Sequence, residues 1–238
     1  MLNVISLREQ VYQYLRSAIQ KGVLVPGTSV KLENLAGALG ISKTPLKEAI
    51  LQLECEGFLE IQPRRGVLIK KLTYQEIKDY YEIIGSLESS VLLDVFDRLS
   101  DTHVREMKQS NAEQKDALES GDCDRYYRLN LGFHDVFLKL SANATMRRMV
   151  VPLKQRLYDI PQRVYWKDWE YRNMQEHARL IECIETGDKL GAVGILRDEH
   201  WGWRVHEPFI TRFYAVTDAM RAPAEAASSQ PEPRSSER

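Results

Sequence analysis

The sequence predicts a mainly α-helical protein: an N-terminal winged helix-turn-helix of three helices plus a β-hairpin, followed by a C-terminal antiparallel all-helical bundle of about six helices. Three observations carry this reading. Apolar residues recur at three- and four-residue spacing through most of the chain. Two short helical patterns near residues 32–39 and 46–53 are joined through Gly40-Ile41-Ser42, a connection short enough to force a sharp angle. Two short β-rich runs then flank Pro63-Arg64-Arg65-Gly66, the composition of a tight turn. With 238 residues, 43% of them hydrophobic, the chain can bury one large core or two smaller ones. The expected division is a winged helix-turn-helix domain over 1–72, a helical domain over 73–222 and a disordered tail over 223–238.

The first helix is expected over about 6–21, where Leu7, Val11, Leu15 and Ala18 share one face and Gly22 with Pro26-Gly27 ends the pattern. Leu32, Leu35, Ala36 and Leu39 mark the second helix, stopped by Gly40. Leu46, Ala49, Ile50 and Leu53 mark the third, stopped by Gly57; Ser42 or Thr44 can cap it, and Pro45 fits its first turn, where backbone N–H groups have no intrahelical acceptor. Phe58–Gln62 and Val67–Lys70 read as the hairpin, with two arginines at its tip. Beyond Thr73, helices are placed near 73–98, 101–120, 122–140, 143–164, 168–186 and 188–217. Asp101 is a candidate cap, and Gly121-Asp122, Asn143 and Gly187-Asp188 provide the breaks. The tail from Ala224 lacks the apolar bulk to pack.

The net charge of −1 conceals an asymmetry. Residues 1–72 hold ten Lys/Arg against six Glu, a balance of +4, and the remainder balances at −5. The basic end is the one that suits a polyanion. No apolar stretch approaches the roughly 18–20 residues that cross a bilayer, and the charged, amphipathic first segment does not read as a signal peptide. Cys55, Cys123 and Cys183 are scattered without metal-finger spacing, which fits a reducing cytoplasm.

A helix fits the major groove of double-stranded DNA while a hairpin tip follows the backbone or enters the minor groove. The candidate DNA-binding residues are therefore Lys43, Thr44 and Lys47 at the start of the third helix, with Arg64, Arg65 and Gly66 at the hairpin tip. Lysines there can reach phosphate or guanine oxygen, and Gly66 permits close approach. The plain alternative is a solvated cationic face.

In order and spacing, Leu32-Glu33-Asn34-Leu35-Ala36, Leu39-Gly40-Ile41-Ser42-Lys43-Thr44-Pro45-Leu46-Lys47-Glu48-Ala49-Ile50, Leu53-Glu54 and Glu56-Gly57-Phe58 resemble the DNA-binding domain of GntR-type bacterial transcription regulators. The family usually carries arginine where this chain has Lys43 and Lys47.

Asn130 and His134 lie four apart on one predicted helix, and His177 and His200 lie on two later ones. Three imidazoles and an amide oxygen can surround zinc or nickel if they converge; spacing alone equally suits three separate histidines. Residues 73–220 resemble the FCD ligand-binding domain of the FadR subfamily, through Leu87-Glu88, Phe133-His134, Asn143, Glu176-His177, Gly187-Asp188 and His200, and six helices place it near the VanR-like branch. The resemblance implies a divalent metal held by Asn130, His134, His177 and His200, and a small organic acid bound against it that alters DNA affinity. Asn130 falls where Asp is common, and Ile84 where an effector-pairing arginine is common. Tyr127, Arg128, Trp201 and Trp203 are read as packing more than pocket, and His103 and His206 as ordinary.

The function expected is a cytoplasmic, ligand-responsive transcription regulator, not an enzyme, binding a roughly palindromic operator as a homodimer. The alternatives are a metal-dependent hydrolase or oxygenase, a dedicated metal sensor, and a DNA-binding protein whose pocket has lapsed. No His-Glu-x-x-His, Gly-x-Ser-x-Gly or phosphate-cradling glycine loop supports an enzyme.

Overall fold

The computed structural model describes residues 5–158 and 167–212. Helices α1 (Leu7–Gln20), α2 (Leu32–Leu39) and α3 (Lys43–Cys55) precede the hairpin β2 (Leu59–Gln62) and β3 (Gly66–Ile69). Sequence reading missed β1 (Ser29–Val30), a two-residue strand too short to show a period; it pairs antiparallel with β3, giving the order β1-β3-β2. Ser6 caps α1 by accepting from the Glu9 N–H, and Gly40 ends α2 in the left-handed region. Leu15, Leu46, Ile50, Leu53 and Val67 are the centre of this unit's core. At the hairpin tip, Arg64 has φ +64° and Gly66 φ +112°. A side chain on Gly66 would collide with the Val30 backbone, so glycine is what lets β1 close on the wing.

The helical unit contains α4 (Tyr74–Val95), continued by a short 3-10 turn over Phe96–Arg98, then α5 (Asp101–Ser120), α6 (Cys123–Leu138), α7 (Ala144–Tyr158), α8 (Lys167–Thr186) and α9 (Lys189–Gly194). Thr73 and Glu76 form a reciprocal capping box at the start of α4. The cap of α5 is Ser100, not Asp101, and its N–H donates to His103 Nδ1 at 3.0 Å, so the histidine read as ordinary has a capping role.

The expected single helix over 188–217 is divided. A π-helical segment, Ile195–His200, follows α9, the chain turns at Trp201-Gly202, and a further helix, α10, runs over 203–212. The apolar period continues across this break because Trp201 and Ile210 both face the core, which hid it from a spacing argument. The 159–164 end of the predicted fourth helix, the 213–217 end of the last and the tail at 223–238 lie outside the described residues. Among the described residues, no helix is long and apolar enough to cross a membrane.

The two units meet at the base of the wing. The Arg156 guanidinium of α7 lies 5.6 Å from the Phe58 ring centre and 5.9 Å from that of Tyr80, while Arg16 of α1 stands 4.9 Å from the Phe58 ring centre. Gly57, at φ +80°, permits the approach: a Cβ there would be 2.6 Å from Arg156 Nη1.

Candidate nucleic-acid interface and metal centre

At the N-terminal end of α3, Lys43, Thr44 and Lys47 are all exposed, while Leu46, Ala49 and Ile50 on the opposite face are buried. The helix thus divides cleanly into a packed side and a displayed side, as its period demands. Ser42 is the N-cap by backbone geometry but makes no capping hydrogen bond, which leaves the first turn's N–H groups available to an anion. Lys43 Nζ meets Glu33 Oε1 of α2 at 2.7 Å. Arg64 and Arg65 are exposed at the hairpin tip beside half-buried Gly66.

Inside the helical unit, three histidines from three different elements converge. One ring nitrogen from each of His134 (α6), His177 (α8) and His200 (end of the π segment) lies within 4.8 Å of the others, and all three rings are buried. Asn130, one turn before His134 on the same face of α6, is 1% exposed. His134 Nε2 and His200 Nε2 face each other at 3.2 Å.

Each of these two rings has a carboxylate behind it. Glu88 Oε2 of α4 lies 2.8 Å from His134 Nδ1, a close contact though poorly aligned as a hydrogen bond. Glu176 Oε2 lies 3.2 Å from His200 Nδ1. A carboxylate at Nδ1 favours a proton there and leaves Nε2 as the lone-pair nitrogen, the arrangement that orients metal-ligating histidines. His177 stacks on Phe133 with ring centres 3.8 Å apart and, among the described residues, has no hydrogen-bond partner at either nitrogen. Two orphaned buried nitrogens are costly unless something occupies them, and a divalent ion fits this donor set.

Burial pushes the His134 imidazole down to about 3 against the opposing pull of Glu88, and pushes His177 well below its ordinary value. Both rings are therefore neutral at pH 7, the state in which they ligate. Burial raises the cost of charging Glu88, yet His134 and Lys154 together hold its carboxyl well below the usual range. Lys154 Nζ of α7 meets Glu88 Oε1 at 2.7 Å, and Trp201 Nε1 donates to Glu88 Oε2 at 2.9 Å.

Several of these residues escaped the sequence. Lys154, 2% exposed, sits in α7 among other cations, and nothing in its spacing marks it as inward-facing. His206, read as ordinary, is fully buried: it accepts at Nδ1 from Trp169 Nε1 at 2.7 Å, and its Nε2 is 3.6 Å from Glu176 Oε2. Trp201, weighted as packing, does pack, and also joins the polar network through its indole N–H. It reaches α4 because position 85 is glycine, where a Cβ would stand 2.8 Å from Trp201 Cβ. Ile84 is buried in the core, so the position carries no effector-pairing cation. Tyr127 donates to buried Glu170 at 3.2 Å, and Arg128 is exposed. The free Cys55 is exposed rather than packed.

The chain matches the family of bacterial regulatory proteins named gntR over residues 7–69 and the FCD domain over residues 79–199. It is 26% identical over 185 residues to the "Uncharacterized HTH-type transcriptional regulator YdhC" of Bacillus subtilis, covering 77% of this chain and 83% of that one. It is 22% identical over 135 residues to the "HTH-type transcriptional repressor RspR" of Escherichia coli, covering 57% of this chain and 59% of that one. The solved structure of E. coli McbR/YncC is similar in fold, with a TM-score of 0.72 at 21% identity, covering 90% of this chain and all of that one. These relatives are named transcription regulators and not enzymes. With the winged helix-turn-helix followed by the helical unit, the chain belongs to the GntR family of DNA-binding transcription regulators and carries an FCD domain.

Proposed function

We propose that the operator affinity of this regulator is set by a small organic acid held at a divalent metal, zinc or nickel, by Asn130, His134, His177 and His200. The observation that carries the reading is the pair of carboxylate-backed histidines whose Nε2 atoms face each other at 3.2 Å beside His177, which among the described residues has no hydrogen-bond partner at either nitrogen. A divalent ion held by these residues would supply a Lewis-acidic point for a carboxylate oxygen. The domain over 73–222 then serves effector binding and dimerisation, and the domain over 1–72 binds double-stranded DNA in the cytoplasm.

Lys43, Thr44 and Lys47 enter the major groove while Arg64, Arg65 and Gly66 follow the adjacent backbone or minor groove, and a homodimer sets two such units on related half-sites. Helix α7 supports a coupling route. Lys154 reaches the centre through Glu88, and two residues later Arg156 packs against the base of the wing. An effector that favours one arrangement of this contact shifts DNA occupancy by its differential affinity for the two states, and by no more.

The test begins with the metal content of tag-free protein purified without chelator. Near-stoichiometric zinc or nickel is expected in wild type and lost in His134→Ala, with DNA affinity then measured against added metal and small carboxylates. Wild-type protein that takes up neither ion when supplied with both would overturn the reading.

A further inference from the structure

A cleft of about 1040 Å³ lies between the winged helix-turn-helix and the helical unit, at the upper end of the range of small-molecule pockets. One wall is the α1 face bearing Tyr12 and Arg16, together with the end of α3 at Cys55 and Glu56. The other is α7 between Ala144 and Gln155, with Ile83 of α4 beside it. None of the four residues assigned to the metal centre lines this cleft. It also stands apart from the DNA-facing end of α3: Cys55 lies eight residues beyond Lys47, about 12 Å along the helix axis.

The charges around the cleft are unequal. Glu56 is the one acid among the described lining residues, and both its oxygens are engaged: Oε2 accepts from the Tyr12 hydroxyl at 2.6 Å, and Oε1 from Gln52 Nε2 at 3.1 Å. Against it stand Arg16, Arg147 and Arg148. Arg148 donates to Thr145 Oγ1 at 2.8 Å, and among the described residues neither Arg147 nor Arg148 meets a carboxylate. Three guanidiniums around one space, opposed by one engaged carboxylate, give it a net positive field. Apolar side chains stand beside them in water: Met149 is 55% exposed and Ile83 40%. An apolar body laid on these residues is removed from water, while the planar fork of an arginine takes the oxygens of an anionic head in pairs.

We propose that this cleft is a second ligand site, separate from the metal centre, for an organic anion with an apolar body and a carboxylate or phosphate-ester head held by Arg147 and Arg148. Because its walls belong to different units, the ligand binds best to one placement of α3 against α7 and favours that placement by its differential affinity. The site needs no metal, so it stands or falls independently of the reading above.

Cys55, exposed on the wall of the cleft, reports occupancy, and Cys183, outside the lining, is the internal reference. The experiment follows iodoacetamide alkylation of both thiols in the full-length protein by mass spectrometry, with and without a chelator. The probes are naphthyl phosphate, naphthoate, the uncharged naphthol and inorganic phosphate. Naphthyl phosphate, naphthoate or both should slow alkylation of Cys55 and leave Cys183 unchanged, chelator or not. Naphthol and inorganic phosphate should need about tenfold higher concentration for the same protection, and the head that protects at lower concentration identifies the class. Replacing Arg147→Gln and Arg148→Gln together should raise the half-protecting concentration of the anions by about tenfold. Their melting temperature should not move, since both side chains are exposed. Protection by neither anion, equal protection by naphthol, equal slowing at Cys183, or an unchanged response in the double variant overturns the proposal. Protection abolished by the chelator also overturns it, because the anion is then held at the metal.

Discussion

The two functional regions use polar residues in opposite ways. On the winged helix, Lys43, Lys47, Arg64 and Arg65 stand in water and each faces outward from one short element. In the helical unit, Glu88, His134, Lys154, Glu176, His177 and His200 are buried and come from α4, α6, α7, α8 and the π segment. Exposed charges are screened and act nearly independently, whereas buried ones are strong only in matched sets. A single substitution in the first region should thus alter one contact, and in the second it should disturb the whole set.

The largest effect is expected at Lys154. Lys154→Ala leaves Glu88 charged and buried, with Trp201 and neutral His134 as its remaining partners among the described residues, and should cost about 3–5 kcal/mol in urea denaturation. Replacing both partners together, Lys154→Met with Glu88→Gln, should recover much of that loss, since no unpaired charge remains. A loss below about 1 kcal/mol in Lys154→Ala would show that the pair is not a matched buried set, and the contrast between the two regions would fail with it.

The same contrast explains what the sequence made legible. The winged helix-turn-helix could be read because its signals are local: Gly40 in the left-handed region, the α3 period, and Pro63 and Gly66 about two arginines. Its exposed candidates needed only a surface position. The histidines of the second region could be named, but their convergence depends on how three separate elements pack, and spacing is silent on that. Lys154 and Arg156 show the limit most clearly: both are buried cations on a helix whose cationic composition reads as solvated. The break at Trp201-Gly202 was concealed for a related reason, because tertiary packing kept the apolar period going through it.

A smaller effect concerns pH. Burial holds the imidazole of His134 down at about 3 and that of His206 at about 4, and His177 also lies well below its ordinary value. In the unfolded chain these rings take a proton near pH 6.5, so between there and their folded values the unfolded state binds more protons. Stability of metal-free protein should then fall as pH is lowered from 7 to 5. Glu88, held low, adds its loss only below the ordinary carboxylate range, while Glu170, pushed up by burial, works in the opposite direction. Differential scanning calorimetry of wild type and His206→Gln should show the shallower decline in the variant; identical slopes would mean that His206 is not held neutral by its surroundings.

The smallest effects belong to the exposed region, and there they should leave the fold untouched. Lys47→Ala removes a charge from the displayed face of α3, so the melting temperature should not move, while the slope of log affinity against log salt should fall by about 1 if Lys47 contacts a phosphate. Glu33→Gln is predicted to act in the opposite sense. Glu33 holds the Lys43 ammonium at 2.7 Å with both side chains more than half exposed, so the pair contributes little to folding. If Lys43 contacts phosphate as proposed, this carboxylate repels the approaching DNA and occupies the lysine. Removing that charge should strengthen DNA binding modestly at low salt, with the gain fading as salt is raised. Weaker binding in Glu33→Gln would instead mean that the carboxylate holds Lys43 in its DNA-contacting position, and that even the exposed region contains one set of charges acting together.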